Sequence, residues 1–294
     1  MLRVWSIIAG LVFLTTAPAC PASDWLHGKL LFGWEGRLTF LDLQTLKTSP
    51  AYDEEMALPP RLTKVSDTQI VYTSQVDRLS ELDLETKMSK ELGRGDAPTY
   101  VPEHKKIFFV SGGPNHSRPV LYLADIANPR ETATVVEKGP YAIGGYVIQV
   151  GPDEVVFPGF GESAGIVWHY NIVNRELGTL RMPKNCVPVL WRSRTKQLVC
   201  FDSKDKGYLL TDLKGERIEY VEELKGTYAV LYIGELDVMI YGKTAAKFFP
   251  PERKDIYAYS FASGESSLLM KGAHVYNGNA VYISKRSPDP PASE

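Results

Sequence analysis

Residues 97–126 read APTYVPEHKKIFFVSGGPNHSRPVLYLADI. Two apolar runs, Ile107–Val110 and Val120–Ile126, flank a connection rich in Gly, Pro, Asn and His. Both runs are short and rich in Val, Ile, Leu, Phe and Tyr, and breakers bound them, which is the pattern of strands. The stretch predicts an antiparallel pair with His116 in the connection. Its second run ends in Leu-Ala-Asp-Ile, and that ending recurs along the chain.

The related endings are FLDL at 40–43, ELDL at 81–84, HYNI at 169–172, LTDL at 210–213 and AYSF at 258–261. Their third positions are Asp42, Asp83, Asp125, Asn171, Asp212 and Ser260, spaced 41 to 48 residues apart. An apolar run precedes each one: KLLF, QIVY, KIFFV, EVVF, QLVCF and DVMIY. A polar turn and another short strand-like stretch follow. Each unit therefore reads as about four short antiparallel strands, the signature of a β-propeller blade. The acidic or amide side chain at the end of the third strand has a simple role: it accepts backbone N–H groups and fixes the turn. The unit at 29–52 lacks a first strand, whereas AVYI at 280–283 has no partner, so the two ends are expected to close a ring. Six blades is the best count, with seven open because there are seven candidate second strands. The fold class is all-β, one propeller over 26–285, with 286–294 a disordered tail.

Of the 294 residues, 44% are hydrophobic, enough for a large core. The formal net charge of −2 lacks the basic footprint of a nucleic-acid binder. The chain starts MLRVWSIIAGLVFLTTAPACPAS, with a basic residue, an apolar run to Leu14 and then small residues. This reads as a signal peptide over 1–22, cleaved after Ala19 or Ala22. A lipid anchor at Cys20 is the minority reading, because Pro18 and the missing Leu make a poor lipidation signal. No later stretch is long and apolar enough for a membrane span. Export would place Cys186 and Cys200 in an oxidising space. A hairpin centred on 193 sets them opposite each other, so a disulfide is expected.

The 97–126 stretch resembles the repeat of the periplasmic TolB-like and wider WD40-like (PD40) propeller family. Lys106, Ile107, Phe109, Ser111, Leu121, Tyr122 and Asp125 keep the pattern, while Pro102-Glu103-His104 departs from its turn. The resemblance covers most of 26–285 at the level of fold. It implies a propeller in the cell envelope that serves as a protein-binding scaffold.

In such blades the connections between second and third strands share a face with the blade-to-blade links, and ligands meet that face or the channel mouth. The longest connection, GKTAAKFFPPERKD at 242–255, holds Phe248 and Phe249 among Lys247 and Arg253. An apolar wedge with a basic rim suits a protein contact. Trp34, Glu35, His116, Arg118 and Phe160 fall on the same face. No catalytic set emerges. GESAG at 161–165 has the wrong spacing for a nucleophile elbow. DSKDKG at 202–207 lacks the remaining ligands of a calcium loop, and the five His are scattered. RGD at 94–96 reads as a blade link. Neither a metal nor a cofactor is expected.

The reading is an exported, periplasmic or secreted, non-enzymatic propeller that binds another envelope or secreted protein through its loop face. The alternatives are an envelope glycan-binding or glycan-processing protein, suggested by Trp34, Glu35, Phe160 and Glu162, and an immunity or inhibitor protein against a secreted toxin.

Overall fold

A computed structural model describes residues 25–34, 36–52, 60–75, 77–112, 120–137, 142–143, 147–160, 165–244, 254–273 and 278–284. The strands are β1 (Lys29–Trp34), β2 (Arg37–Asp42), β3 (Thr48–Tyr52), β4 (Leu62–Lys64), β5 (Gln69–Gln75), β6 (Arg78–Asp83), β7 (Ser89–Gly93), β8 (Asp96–Val101), β9 (Lys106–Ser111), β10 (Val120–Asp125), β11 (Thr134–Glu137), β12 (Ala142–Ile143), β13 (Ile148–Gln149), β14 (Glu154–Phe160), β15 (Val167–Asn171), β16 (Leu177–Leu180), β17 (Cys186–Arg192), β18 (Gln197–Asp202), β19 (Gly207–Thr211), β20 (Glu219–Val221), β21 (Tyr228–Ile233), β22 (Val238–Thr244), β23 (Lys254–Ser260), β24 (Ser266–Ala273) and β25 (Ala280–Ile283). They form six antiparallel sheets, the blades of one propeller. Among the described residues one short α-helix, α1 (Pro129–Thr132), and two single 3-10 turns, Pro102–His104 and Glu222–Leu224, interrupt the β-structure.

Blades 2, 3, 5 and 6 each use four consecutive strands. In blade 4 the inner strand is in two pieces, β12 and β13, both paired with β14. Blade 1 runs β25-β1-β2-β3, so the last strand supplies the one missing at the start. Lys29 faces Ile283 and Phe32 faces Ala280 in that pair. AVYI is therefore the inner strand of the first blade and not the core of a seventh. The count is six.

The continuous apolar runs are the second strands, and each is covered on both faces. Ile70, Val71 and Tyr72 in β5 are all buried, as are Val155, Val156 and Phe157 in β14. Successive residues point to opposite faces. Ile70 and Tyr72 join the apolar cluster between blades 1 and 2, whereas Val71 joins the one between blades 2 and 3. Six such clusters occur among the described residues, one per blade interface. A lone four-stranded sheet would leave both faces wet, so closing the ring is what makes each blade stable. The outermost strands present exposed stretches, the polar SKE in β7 and TSP in β3, with Pro50 on an edge where it costs no ladder bond.

The recurring Asp behaves as its chemistry dictates. Asp42 accepts the N–H groups of Gln44 and Thr45, and Asp83 those of Glu85 and Thr86. Asn171 accepts from Val173 and Asn174, and Asp212 from Lys214 and Glu216. These bonds pull the carboxyls of Asp42, Asp83 and Asp212 below their usual range; at Asp42 they outweigh the opposing effect of burial. Asp125 departs from the set and accepts from the Lys106 ammonium at 2.7 Å. The residue after the Asp also has a fixed task. Leu43, Leu84, Ile126, Ile172 and Phe261 each donate their N–H to the carbonyl of the residue just before the second strand.

Cys186 and Cys200 form a disulfide with a Cα separation of 5.1 Å. Their strands pair as expected, but the two cysteines are not directly opposite. Cys186 faces Asp202 and Cys200 faces Pro188, because the turn is at 193–196 and a bulge follows Pro188. The bond therefore runs diagonally across β17 and β18, on the face turned to blade 4.

Candidate functional site

The six inner strands, β25, β4, β8, β13, β17 and β21, surround a central channel of about 440 Å³. All six run the same way, so the turns after them gather at one end of the molecule. Contacts between those turns show this directly: His104 meets Asp153 at 2.7 Å, and Arg192 meets Asp237 at 2.7 Å. The connections between second and third strands gather at the opposite end.

Much of the channel wall is aliphatic, with Leu62, Val147, Val189 and Val230. Near the inner-strand turns it becomes aromatic and charged, with Lys64, Trp191, Tyr232, Glu235 and Tyr282. Lys64, Glu235 and the two tyrosines are held. Tyr282 donates to Glu235 from the neighbouring blade, and Lys64 meets Asp67 at 2.6 Å. Tyr232 donates to Asp237 at 2.8 Å. Burial, then the bond to Asp237, pushes the Tyr232 phenol up to about 12. Burial and Glu235 together raise Tyr282 above the ordinary tyrosine range. Both phenols thus stay protonated and keep their hydrogens pointed at carboxylates.

Arg192 and Asp237 sit behind this wall. Arg192 Nε donates to Asp237 Oδ1 at 2.8 Å and Nη2 to Oδ2 at 2.7 Å, with the guanidinium 4.3 Å from the Phe261 ring centroid. Burial disfavours the ionised Asp237, but the bonds from Arg192 and Tyr232 outweigh it and hold the carboxyl low. The chemistry on offer is recognition: an apolar tube with a few fixed hydrogen-bonding groups at one end.

Trp34 lies at the end of β1, paired with Arg37, and packs half-buried against the cluster between blades 6 and 1, outside the channel. Glu35, His116, Arg118, Lys247, Phe248, Phe249 and Arg253 lie outside the described residues, as does the side chain of Phe160. So do residues 1–22, read above as a signal peptide, with Cys20, and residues 286–294, read as a tail. Ser111 faces Val120, and Thr244 faces Lys254, so the described strand ends on either side of the 113–119 and 245–253 connections lie at the end opposite the inner-strand turns. In DSKDKG, Asp202 accepts from the N–H groups of Lys204 and Asp205 and serves the turn. In RGD, Gly95 is buried and Asp96 accepts from Thr73 at 2.8 Å, leaving only Arg94 exposed. Among the described residues no helix is long and apolar enough to cross a membrane.

Sequence reasoning missed the channel residues and the bonds between turns. A signal was present. His104 and Asp153, Glu103 and Gln149, Arg192 and Asp237, and Glu235 and Tyr282 are each 45 to 49 residues apart, close to one repeat. Complementary side chains one repeat apart, both near inner-strand turns, are neighbours once the ring closes.

No protein family's profile matches the chain, and no curated protein matches it in sequence. Solved structures do share its architecture. A chain of the crystallised nidogen–laminin complex superposes with a TM-score of 0.68 at 12% identity, over 87% of this chain and 99% of that one. TolB from Acinetobacter baumannii gives 0.67 at 12% identity, over 88% of this chain and 67% of that one. A protein described as TolB from Agrobacterium tumefaciens gives 0.63 at 11%, over 87% and 96%. At these identities the likeness is one of fold: the chain is a six-bladed β-propeller, an architecture it shares with these structures.

Proposed function

We propose that this chain is an exported, non-enzymatic propeller that binds a protein partner through its loop face, with the channel receiving a segment of that partner. The observation that carries the reading is the channel itself. Its volume of about 440 Å³ is in the range of sites that enclose a small molecule or a few side chains. Its aliphatic wall would take apolar groups entering from the loop face, and Lys64, Glu235 and the two protonated phenols, at the far end near the inner-strand turns, would orient polar groups that reach them. The signal-like start supports export, and the Cys186–Cys200 bond suits an oxidising compartment. One structural neighbour is itself part of a protein–protein complex, which is compatible with such use of the fold.

The test is capture of partners from an envelope extract on the immobilised protein, followed by mass spectrometry. Wild type is compared with Lys64→Glu, which reverses a charge in the channel and leaves the blade cores intact. The expected result is a protein retained by wild type and depleted on the variant at equal melting temperature. Equal retention by both, or no specific retention, would overturn the reading.

A further inference from the structure

We propose that a second groove, between blades 2 and 3, binds an acidic, partly apolar peptide segment. The groove encloses about 480 Å³ and shares no lining residue with the channel. Its floor is apolar, with Leu79, Leu92, Phe109 and Tyr122. The rings of Phe109 and Tyr122 stack with centroids 5.4 Å apart, which fixes the floor. Three arginines stand around it, Arg78, Arg94 and Arg130, against one lining carboxylate, Glu91.

The arginines are unequally engaged. Arg130 donates to Glu91 Oε1 at 2.5 Å, and Arg78 approaches Oε2 at 3.6 Å. The side chains in these pairs are 48% to 65% exposed, so the pairs are held weakly and are exchangeable. Arg94 is exposed and has no acidic partner among the described residues. Its position is built in. Gly93 and Gly95 on either side have φ of +148° and +154°. A Cβ on Gly95 would come within 2.6 Å of the Phe109 ring, and one on Gly93 within 3.0 Å of the Arg130 side chain. The chain therefore lies close against blade 3, and Arg94 is turned outward beside the groove.

Charge complementarity decides the occupant. The lining holds more guanidinium than carboxylate, and guanidinium forks match carboxylates in a planar, two-bond geometry. A ligand carboxylate can take Arg94 directly and replace Glu91 on Arg78 or Arg130. The aromatic and leucine floor then takes an aliphatic or aromatic neighbour. Acidic side chains alternating with apolar ones, in a peptide of a partner protein, satisfy both halves of the site.

The probe is a labelled octapeptide alternating Glu and Leu, with control peptides carrying Lys for Glu or Ser for Leu. Binding to the folded, oxidised full chain is read by fluorescence anisotropy at about 0.15 M and about 0.5 M salt. The Glu-Leu peptide should bind, and bind less well at higher salt. Arg94→Glu should weaken it about tenfold or more, at unchanged melting temperature. Lys64→Glu, in the channel, should leave it unchanged, which separates this groove from the channel reading. Absence of binding, equal binding of the Lys peptide, or unaltered affinity in Arg94→Glu would each overturn the proposal. Equal binding of the Ser peptide, or displacement by inorganic phosphate at the peptide's own concentration, would reduce the groove to a simple anion patch and also overturn it.

Discussion

Arg192 and Asp237 form a two-pronged ion pair that joins the inner-strand turn of blade 5 to that of blade 6, with the Asp237 side chain only 4% exposed. Removing one member leaves the other charged and buried. Asp237→Asn should cost about 3 kcal/mol, read by denaturant unfolding. The pH dependence has a definite sign. The folded carboxyl is held below its unfolded value near 4, so the contribution is present above about pH 4 and lost as pH falls through the folded value. The stability gap between wild type and Asp237→Asn should narrow on acidification; a gap that stays constant to pH 2 would contradict the assignment.

Tyr208 joins the same two blades from the opposite end. Its buried hydroxyl donates to the Thr227 carbonyl at 3.1 Å and accepts from the Ala229 N–H at 2.6 Å. Tyr208→Phe strands both groups and should cost about 1–3 kcal/mol. Burial pushes the phenol up to about 12, above its unfolded value of 10. Stability from this tyrosine is therefore complete below about pH 10 and falls as pH rises toward 12. Thermal melts of the two proteins should converge over that alkaline range.

The Cys186–Cys200 bond should be visible in the intact mass, about two hydrogens below the reduced protein, with both cysteines in one cross-linked peptide. By loop entropy the bond contributes about 3 kcal/mol, so reduction should lower the melting temperature by several degrees. Full alkylation of both thiols without prior reduction would refute it.

Deleting 273–294 removes β25, which pairs with β1 and places Ala280 and Val281 in the clusters on either side of blade 1. An unpaired β1 edge and two opened interfaces should bring aggregation or a markedly lower melting temperature. A truncated chain that melts like the intact one would show that the ring does not depend on this strand.

Phe248→Ala with Phe249→Ala tests the loop face. As exposed anchors, they should change stability by no more than about 0.5 kcal/mol and weaken partner binding by about 2 kcal/mol or more. A loss of roughly 3 kcal/mol or more in stability, or unchanged capture, would remove this connection from the contact.

The repeating blade was legible because burial on both faces forces a continuous apolar run, and Ile70-Val71-Tyr72 can be read without knowing its neighbours; the same signal in AVYI left a seventh blade open, since an inner strand buried in the ring reads like a second strand. Most of the turns after third strands were legible because the Asp42 type of cap is made within a few residues; Asp125 is the exception, since its partner Lys106 lies on the neighbouring strand. The disulfide pair was legible from the hairpin, but its diagonal placement was not, since the bulge after Pro188 follows from packing. The channel lining was not legible. Trp191, Glu235 and Tyr282 come from three different turn regions, and only the closed ring makes them neighbours. The expected loop-face residues, Phe248 and Phe249 foremost, rested on the composition of a long connection, and composition gives no contacts.

Blade 1 has a consequence for biogenesis. A ribosome delivers β1, β2 and β3 first, yet their inner partner lies at the far end of the described chain, where Lys29 meets Ile283. Until that last segment emerges, the first three strands form an open sheet with a free edge, and no local contact can substitute for the missing strand. The contact with the longest sequence separation is thus also the one that seals the structure. A nascent chain of this design carries an unpaired β1 edge until β25 has been made. It also needs protection from edge-to-edge pairing with its own copies during that interval.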